Sequence, residues 1–210
     1  QKSTYDFTIT RAPKEDKFAL FCFADVQCAN TSQINRFKNE SMPDILAHAK
    51  SKGIPCYGVT LGDIIYTEGE HICNKYLEPM RDAMSYENSH LVFFQTIGNH
   101  DFTDPPVKLD KGTSTYNLAY QRAFEDVFGP VNYSWNRGDA HIISMRDMLW
   151  NSNNKGGDYS LGFSDEQYEW LRQDLSFVPK DKLVILCVHI PLVNSNNTNV
   201  QNVISLLAAY

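Results

Sequence analysis

Apolar positions along the chain fall into short dense runs, and the runs are of two kinds. Residues 18–24, 56–61, 91–94 and 183–188 are nearly continuous runs of apolar and β-branched side chains, the pattern of strands buried on both faces. Between them the spacing changes to three and four. Within 71–86, Ile72, Tyr76, Leu77, Met80 and Met84 line one face of a helix,. Segment 32–51 is also helical, with a break expected before Pro43, Ser41 capping the second part and Gly53 as the stop,. An amphipathic helix over 116–128 closes at Gly129-Pro130. A strict alternation follows: Tyr133-Ser134-Trp135, a turn through Asn136-Arg137-Gly138-Asp139, and residues 141–145, which together predict a hairpin,. The stretch 150–162, rich in Asn, Gly, Lys and Ser, predicts a mobile loop,. Ser164 and Gln167 form a capping box for a helix carrying Tyr168, Leu171 and Leu175, and a last helix starts near Val200,.

Each continuous run ends in groups that can hold a cation. Residues 18–24 lead to Asp25 and Gln27, 56–61 to Gly62-Asp63, 91–94 to Gly98-Asn99-His100-Asp101, and 183–188 to His189. Asp25 and Asp63 are 38 positions apart, and Asp63 and Asn99 are 36 apart, room for a strand, a crossover helix and a parallel strand. Right-handed crossovers bring such strand ends to one edge, where open α/β sheets place their ligands. If the extended backbone persists, alternation puts Asp25 and Gln27 on the same side. Asn99 offers a neutral oxygen, His100 titrates near neutrality, and Asp101 is able to fix the His100 tautomer. Singly, each is more ordinarily a turn residue, a cap or a satisfied core histidine. Four such sites at four strand ends with a common origin are a different matter. Oxygen and nitrogen donors without a thiolate suit Mn, Fe or Zn in a catalytic setting. Two carboxylates at one edge repel each other. A pair of ions ~3.5–4 Å apart, bridged by one Asp, relieves that repulsion and generates a hydroxide poised for in-line attack on phosphorus.

Composition narrows the partners. The 210 residues carry a net charge of −6 with no Lys/Arg-rich tract, which argues against a strongly basic nucleic-acid surface and points to a small partner, while a site charged by bound cations could still take anionic substrates. No apolar run approaches the ~18 residues of a membrane span, so no transmembrane segment is expected. The five cysteines lack CxxC spacing. Cys22, Cys56 and Cys187 read as buried strand fillers, and a Cys28–Cys73 bridge is left open. His71 and His90 read as surface or helix-end residues. The abrupt opening at Gln1, with the strand-like Tyr5-Asp6-Phe7-Thr8-Ile9, is that of an excised or processed segment and favours an extracytoplasmic compartment, periplasmic or secreted,. Nothing in the sequence speaks to oligomeric state.

Asp25-x-Gln27, Gly62-Asp63, Gly98-Asn99-His100-Asp101 and Val188-His189 resemble, in order, the motifs of the calcineurin-like metallophosphoesterase superfamily. The resemblance implies an α/β fold, a four-layer αββα sandwich of two mixed β-sheets flanked by helices, truncated here before its last strands. Residues 1–17 would be a lead-in and 18–210 the domain. It further implies a binuclear metal-dependent phosphohydrolase acting on a phosphomonoester or phosphodiester. Asp25 and Gln27 would bind the first metal, Asp63 would bridge, and Asn99 and His189 would bind the second. His100 would be the general acid or phosphate contact, held by Asp101. Two departures stand out: Gln27 replaces the usual histidine, and the closing Gly-His-x-His motif is absent, from which a fragment of a longer protein is expected. The competing reading is a catalytically impaired binding or structural module. Tyr66, in a Gly-Asp-x-x-Tyr run resembling that of purple acid phosphatases, is expected to pack behind the site as a structural residue.

Overall fold

Parallel pairing of the first three apolar runs builds the frame. The computed structural model describes residues 15–66, 73–102, 121–150, 159–192 and 197–210. Strands β1 (Ala19–Phe23), β2 (Cys56–Leu61) and β3 (Val92–Thr96) form one sheet in that order. Both pairings are parallel, with Phe23 opposite Thr60 and Leu61 opposite Thr96. All three strand exits therefore lie along one edge. The second sheet is the hairpin of β4 (Tyr133–Arg137) and β5 (Ala140–Ser144), extended by β8 (Leu183–Cys187) parallel to β5. Gly138, at φ 50, supplies the left-handed residue of the hairpin turn,. A small antiparallel ribbon joins β6 (Met148–Trp150) to β7 (Tyr159–Leu161).

Strand alternation decides the layers. Val59, Phe94, Trp135, Ile142 and Cys187 point between the two sheets, where the rings of Phe94 and Trp135 stack with centroids 3.9 Å apart. Their neighbours face outward. Phe93 meets Met42 of α2 (Met42–Ser51), Leu77 and Met80 of α3 (Cys73–Met84) and Phe124 of α5 (Arg122–Phe128). On the far side Ile143, Val184 and Leu186 meet Leu171 and Leu175 of α6 (Asp165–Ser176) and Val200 and Val203 of α7 (Val200–Leu207). Helices therefore cover both outer faces, the α/β sandwich expected from the sequence. Leu171 and Leu175 are fully buried, each stabilising the layer by roughly 1.5–3 kcal/mol. Among the described residues no helix is long and apolar enough to cross a membrane.

Several local expectations are corrected. The helix break before Pro43 does not occur. Asn30 caps α1 (Thr31–Arg36) through Oδ1, which accepts from the Gln33 amide at 3.0 Å, and a π-helical turn, Phe37–Ser41, runs straight into α2. The wide turn pairs the Met42 amide with the Phe37 carbonyl, so Pro43 enters the first turn of α2, where a missing N–H costs nothing. Ser41 makes no side-chain cap. Strands β1, β3 and β8 are not buried on both faces: each is last in its sheet among the described strands, Cys22 and Val92 are exposed, and Leu183 is 63% exposed. Cys56 is only half-buried and Cys187 is buried. Cys28 is a buried free thiol, so it forms no bridge. The loop expected over 150–162 is strand at both ends, Trp150 closing β6 and Tyr159–Leu161 forming β7, and residues 151–158 lie outside the described set. The lead-in 1–14, the loop 103–115, His71, Ile72 and the first turn of the 116–128 helix also lie outside it. The capping box is as expected: Ser164 Oγ accepts from Gln167 N, and Gln167 Oε1 accepts from Ser164 N. His90 ends the short helix α4 (Tyr86–Ser89) in a left-handed conformation.

Candidate metal centre

The exits of β1 and β2 do not simply run on as extended chain. Asp25, Gln27 and Asp63 have φ values of 52, 47 and 52, three of the five non-glycine residues at positive φ among the described residues. Each such residue costs about 1–3 kcal/mol, and strain of this kind collects at functional sites. Pairing holds it in place: Asp25 N donates to Gly62 O at 3.3 Å, Gln27 N to Asp63 O at 2.9 Å and Cys28 N to Ile64 O at 3.2 Å. Asp25 and Gln27 thus converge by left-handed turns, not by the strand alternation expected. Their side chains meet, Gln27 Nε2 donating to Asp25 Oδ1 at 3.3 Å and to Asp63 Oδ2 at 3.0 Å.

Glycines make the crowding around Asp63 feasible. A Cβ on Gly98 would overlap the backbone nitrogen and Oδ1 of Asp63, and one on Gly62 would come within 2.5 Å of His189 Nδ1. Asp63 is buried, and its Oδ1 accepts from the His100 amide at 2.9 Å. Asp101 is fully buried and works through the main chain. Its Oδ1 accepts from Ile65 N at 3.1 Å and its Oδ2 from Gly98 N at 2.8 Å, which fixes the turn bearing Asn99 and His100 against the β2 exit. Burial pushes the Asp101 carboxyl up to about 7 against the pull of those two amides,. The ring of His100 lies against that of Tyr66, centroids 4.4 Å apart, so Tyr66 packs beside His100.

His189 closes the group from the second sheet. Its Nδ1 lies 2.9 Å from the Leu61 carbonyl, an acceptor only, so Nδ1 carries the proton,. In the neutral ring Nε2 is then a bare acceptor. It faces Asn99 Oδ1 at 3.0 Å and Asp63 Oδ1 at 3.5 Å. Three acceptors aimed at one another need a cation, an added proton on His189 or a turned Asn99 amide between them. Asp25, Asp63 and His189 can each present an atom within 4.8 Å of the others. A histidine whose second nitrogen donates to a backbone carbonyl is also how metal-binding histidines are oriented. The donor set fits a metal.

All seven residues expected at the site are gathered at one edge, across both sheets. Two neighbours were not anticipated. Asp147 is fully buried beyond β5. Its Oδ2 accepts from Ile190 N at 2.7 Å, immediately after His189, while Oδ1 has no hydrogen-bond partner among the described residues. Burial pushes its carboxyl up to about 6. Tyr159, on β7, has its hydroxyl pKa raised by burial and then by the charge of Asp63, which places the ribbon beside the centre. The strand-exit pattern that flags Asp25 and Asp63 also flags Asp147. Tyr159, inside a polar stretch, gives no such signal.

The chain is 25% identical to acid phosphatase type 7 of Danio rerio over 195 residues, an alignment that covers 86% of this chain. It spans 37% of that protein's length. No protein-family model matches the chain.

Proposed function

We propose that this chain is a metal-dependent phosphoesterase of the calcineurin-like superfamily, with residues 18–210 as its domain and a small phosphorylated molecule as substrate. The observation that carries the reading is the convergence of Asp25, Asp63 and His189 from three strand exits, each able to present a ligand atom within 4.8 Å of the others. The similarity to an acid phosphatase points the same way. Two ions, of Mn, Fe or Zn, are assigned: one to Asp25, Gln27 and Asp63, the other to Asp63, Asn99 and His189. When bound, such ions supply a nucleophile at neutral pH and neutralise charge on the phosphate oxygens.

The protein's own groups do the rest. Asp63 is held by the His100 amide through Oδ1 and by the Gln27 amide through Oδ2, so both of its oxygens are oriented before any ligand arrives. His100 is half-exposed in the middle of the 3-10 turn, Asn99–Asp101, with its ring against Tyr66 and its backbone fixed to Asp63. We assign it the proton handed to the departing oxygen of the ester, with a phosphate contact as the alternative role. Asp101 positions His100 through the turn, by way of the Gly98 and Ile65 amides. The exposed side of Asp25 leaves the centre open to solvent and substrate.

A panel of phosphate monoesters and diesters, assayed with Mn, Fe and Zn and after chelation, tests the reading. Turnover that needs metal and disappears in Asp63→Asn is the expected result. Metal bound without turnover on any ester would favour the binding module, whose supporting observation is the amide of Gln27 where a histidine is usual.

A further inference from the structure

The two halves of the centre are satisfied in opposite ways, and Gln27 makes the difference. On one side Asp63 Oδ1, Asn99 Oδ1 and His189 Nε2 face one another as acceptors. That half is arranged to receive positive charge. On the other side the Gln27 Nε2 group already serves both carboxylates, 3.0 Å from Asp63 Oδ2 and 3.3 Å from Asp25 Oδ1. A primary amide has its donors on one atom and its acceptor on the other. With Nε2 turned to the carboxylates, Oε1, the only atom of Gln27 that a cation can use, is turned away from them. The main chain cannot adjust to change this, because Gln27 N is held on Asp63 O at 2.9 Å and its φ of 47 is part of the paired β1 and β2 exits. Only the side chain can turn.

We propose that Gln27 is an amide clamp that makes the two metal positions fill in order. The position of Asp63, Asn99 and His189 fills first. The position of Asp25, Gln27 and Asp63 fills second and more weakly, because the amide must turn over and give up two hydrogen bonds to charged acceptors before Oε1 can ligate. Such bonds are stronger than those between neutral groups, and losing even one net separates the two affinities by roughly tenfold or more. The same clamp quenches the repulsion between Asp25 and Asp63 while the second position is vacant, so the site keeps its shape with one ion. The inference rests on the phosphoesterase reading and adds an order of loading to it.

Titration of the 210-residue chain with Zn2+, followed by calorimetry and by 15N-resolved NMR of the side-chain amides, tests it. The Gln27 NH2 resonances are assigned by their loss in Gln27→Glu. The expected result is a first equivalent that leaves those resonances in place and a second event, at least about tenfold weaker, that moves them. A single event with the Gln27 resonances unmoved also supports the clamp. Two equivalents of equal affinity, or Gln27 resonances that shift with the first, would overturn the clamp and leave the phosphoesterase reading standing. No Zn2+ binding at all would overturn both.

Discussion

Replacing Gly98 with alanine isolates the steric demand of the centre from backbone strain. Gly98 has φ −110 and ψ 177, an extended conformation open to any residue. Its intolerance is wholly a matter of space. The new Cβ would overlap the Asp63 nitrogen and Oδ1 and lie 2.8 Å from the Gly62 carbonyl carbon. Two of these three atoms are backbone, so the β2 exit itself must retreat. Overpacking of that kind costs about 1–3 kcal/mol. Displacing Asp63 also breaks its 2.9 Å bond from the His100 amide, a further ~1.5–3 kcal/mol for a bond to a charged group. The sum, roughly 2.5–6 kcal/mol, is a large part of an ordinary domain's stability of about 5–15 kcal/mol. Gly53→Ala is the control, since nothing lies within 4 Å of its Cβ and only its φ of 64 resists substitution. That costs about 1 kcal/mol. Urea unfolding of the two variants should show a midpoint drop for Gly98→Ala of more than about 1 M at an m-value of ~2–3 kcal/mol/M, several times that of Gly53→Ala. Equal midpoints in the two variants would refute the geometry drawn around Asp63.

Three further outcomes are expected. His100→Ala should slow esters with poor leaving groups far more than activated aryl esters while leaving metal content unchanged, because only the former need the proton; equal losses would make His100 a phosphate contact instead. Asp147→Ala should leave the Ile190 amide without its acceptor, costing about 1–3 kcal/mol in urea unfolding, and should weaken Zn2+ binding through His189; unchanged Zn2+ affinity would confine Asp147 to a structural role. Hydrogen bonds from Arg172 and then Gln173 hold the exposed Glu169 carboxyl at about 2, below its ordinary 4.5. The unfolded chain therefore binds more protons across that window, and the contribution, present above pH 4.5, is lost as pH falls toward 2. The loss should be small and salt-sensitive at the surface, and Glu169→Gln should flatten the acid limb of stability against pH; an identical limb would show that the pairing is not held in solution.

The sheet frame was legible because its signals are collective. Residues 56–61 carry no charged side chain, and β2 is the central, covered strand of its sheet whichever side chain is considered. The helix faces of Leu77, Met80, Leu171 and Leu175 follow from spacing alone. What escaped was local. Pro43 predicts a break by its missing N–H, yet a π-helical turn over Phe37–Ser41 carries the chain into α2 without one, and no residue in 37–41 advertises such a turn. Edge position escaped for a similar reason: 18–24, 91–94 and 183–188 look as apolar as a central strand, and only the strand order reveals that Cys22, Val92 and Leu183 lie at the margins of their sheets.

At the centre, residue type and residue conformation parted company. Asp25, Gln27 and Asp63 were found as donors because acids at strand exits are conspicuous, but nothing in an aspartate or glutamine announces φ near +50. The left-handed turns come from pairing between the two exits, Gln27 N on Asp63 O and Cys28 N on Ile64 O. Those contacts span 36 positions and exist only once β1 and β2 are side by side. This pairing also delivers Gln27 Nε2 between the two carboxylates. The role of Gln27 therefore depends less on its being the wrong ligand for a family pattern than on which end of its amide the fold turns toward Asp63.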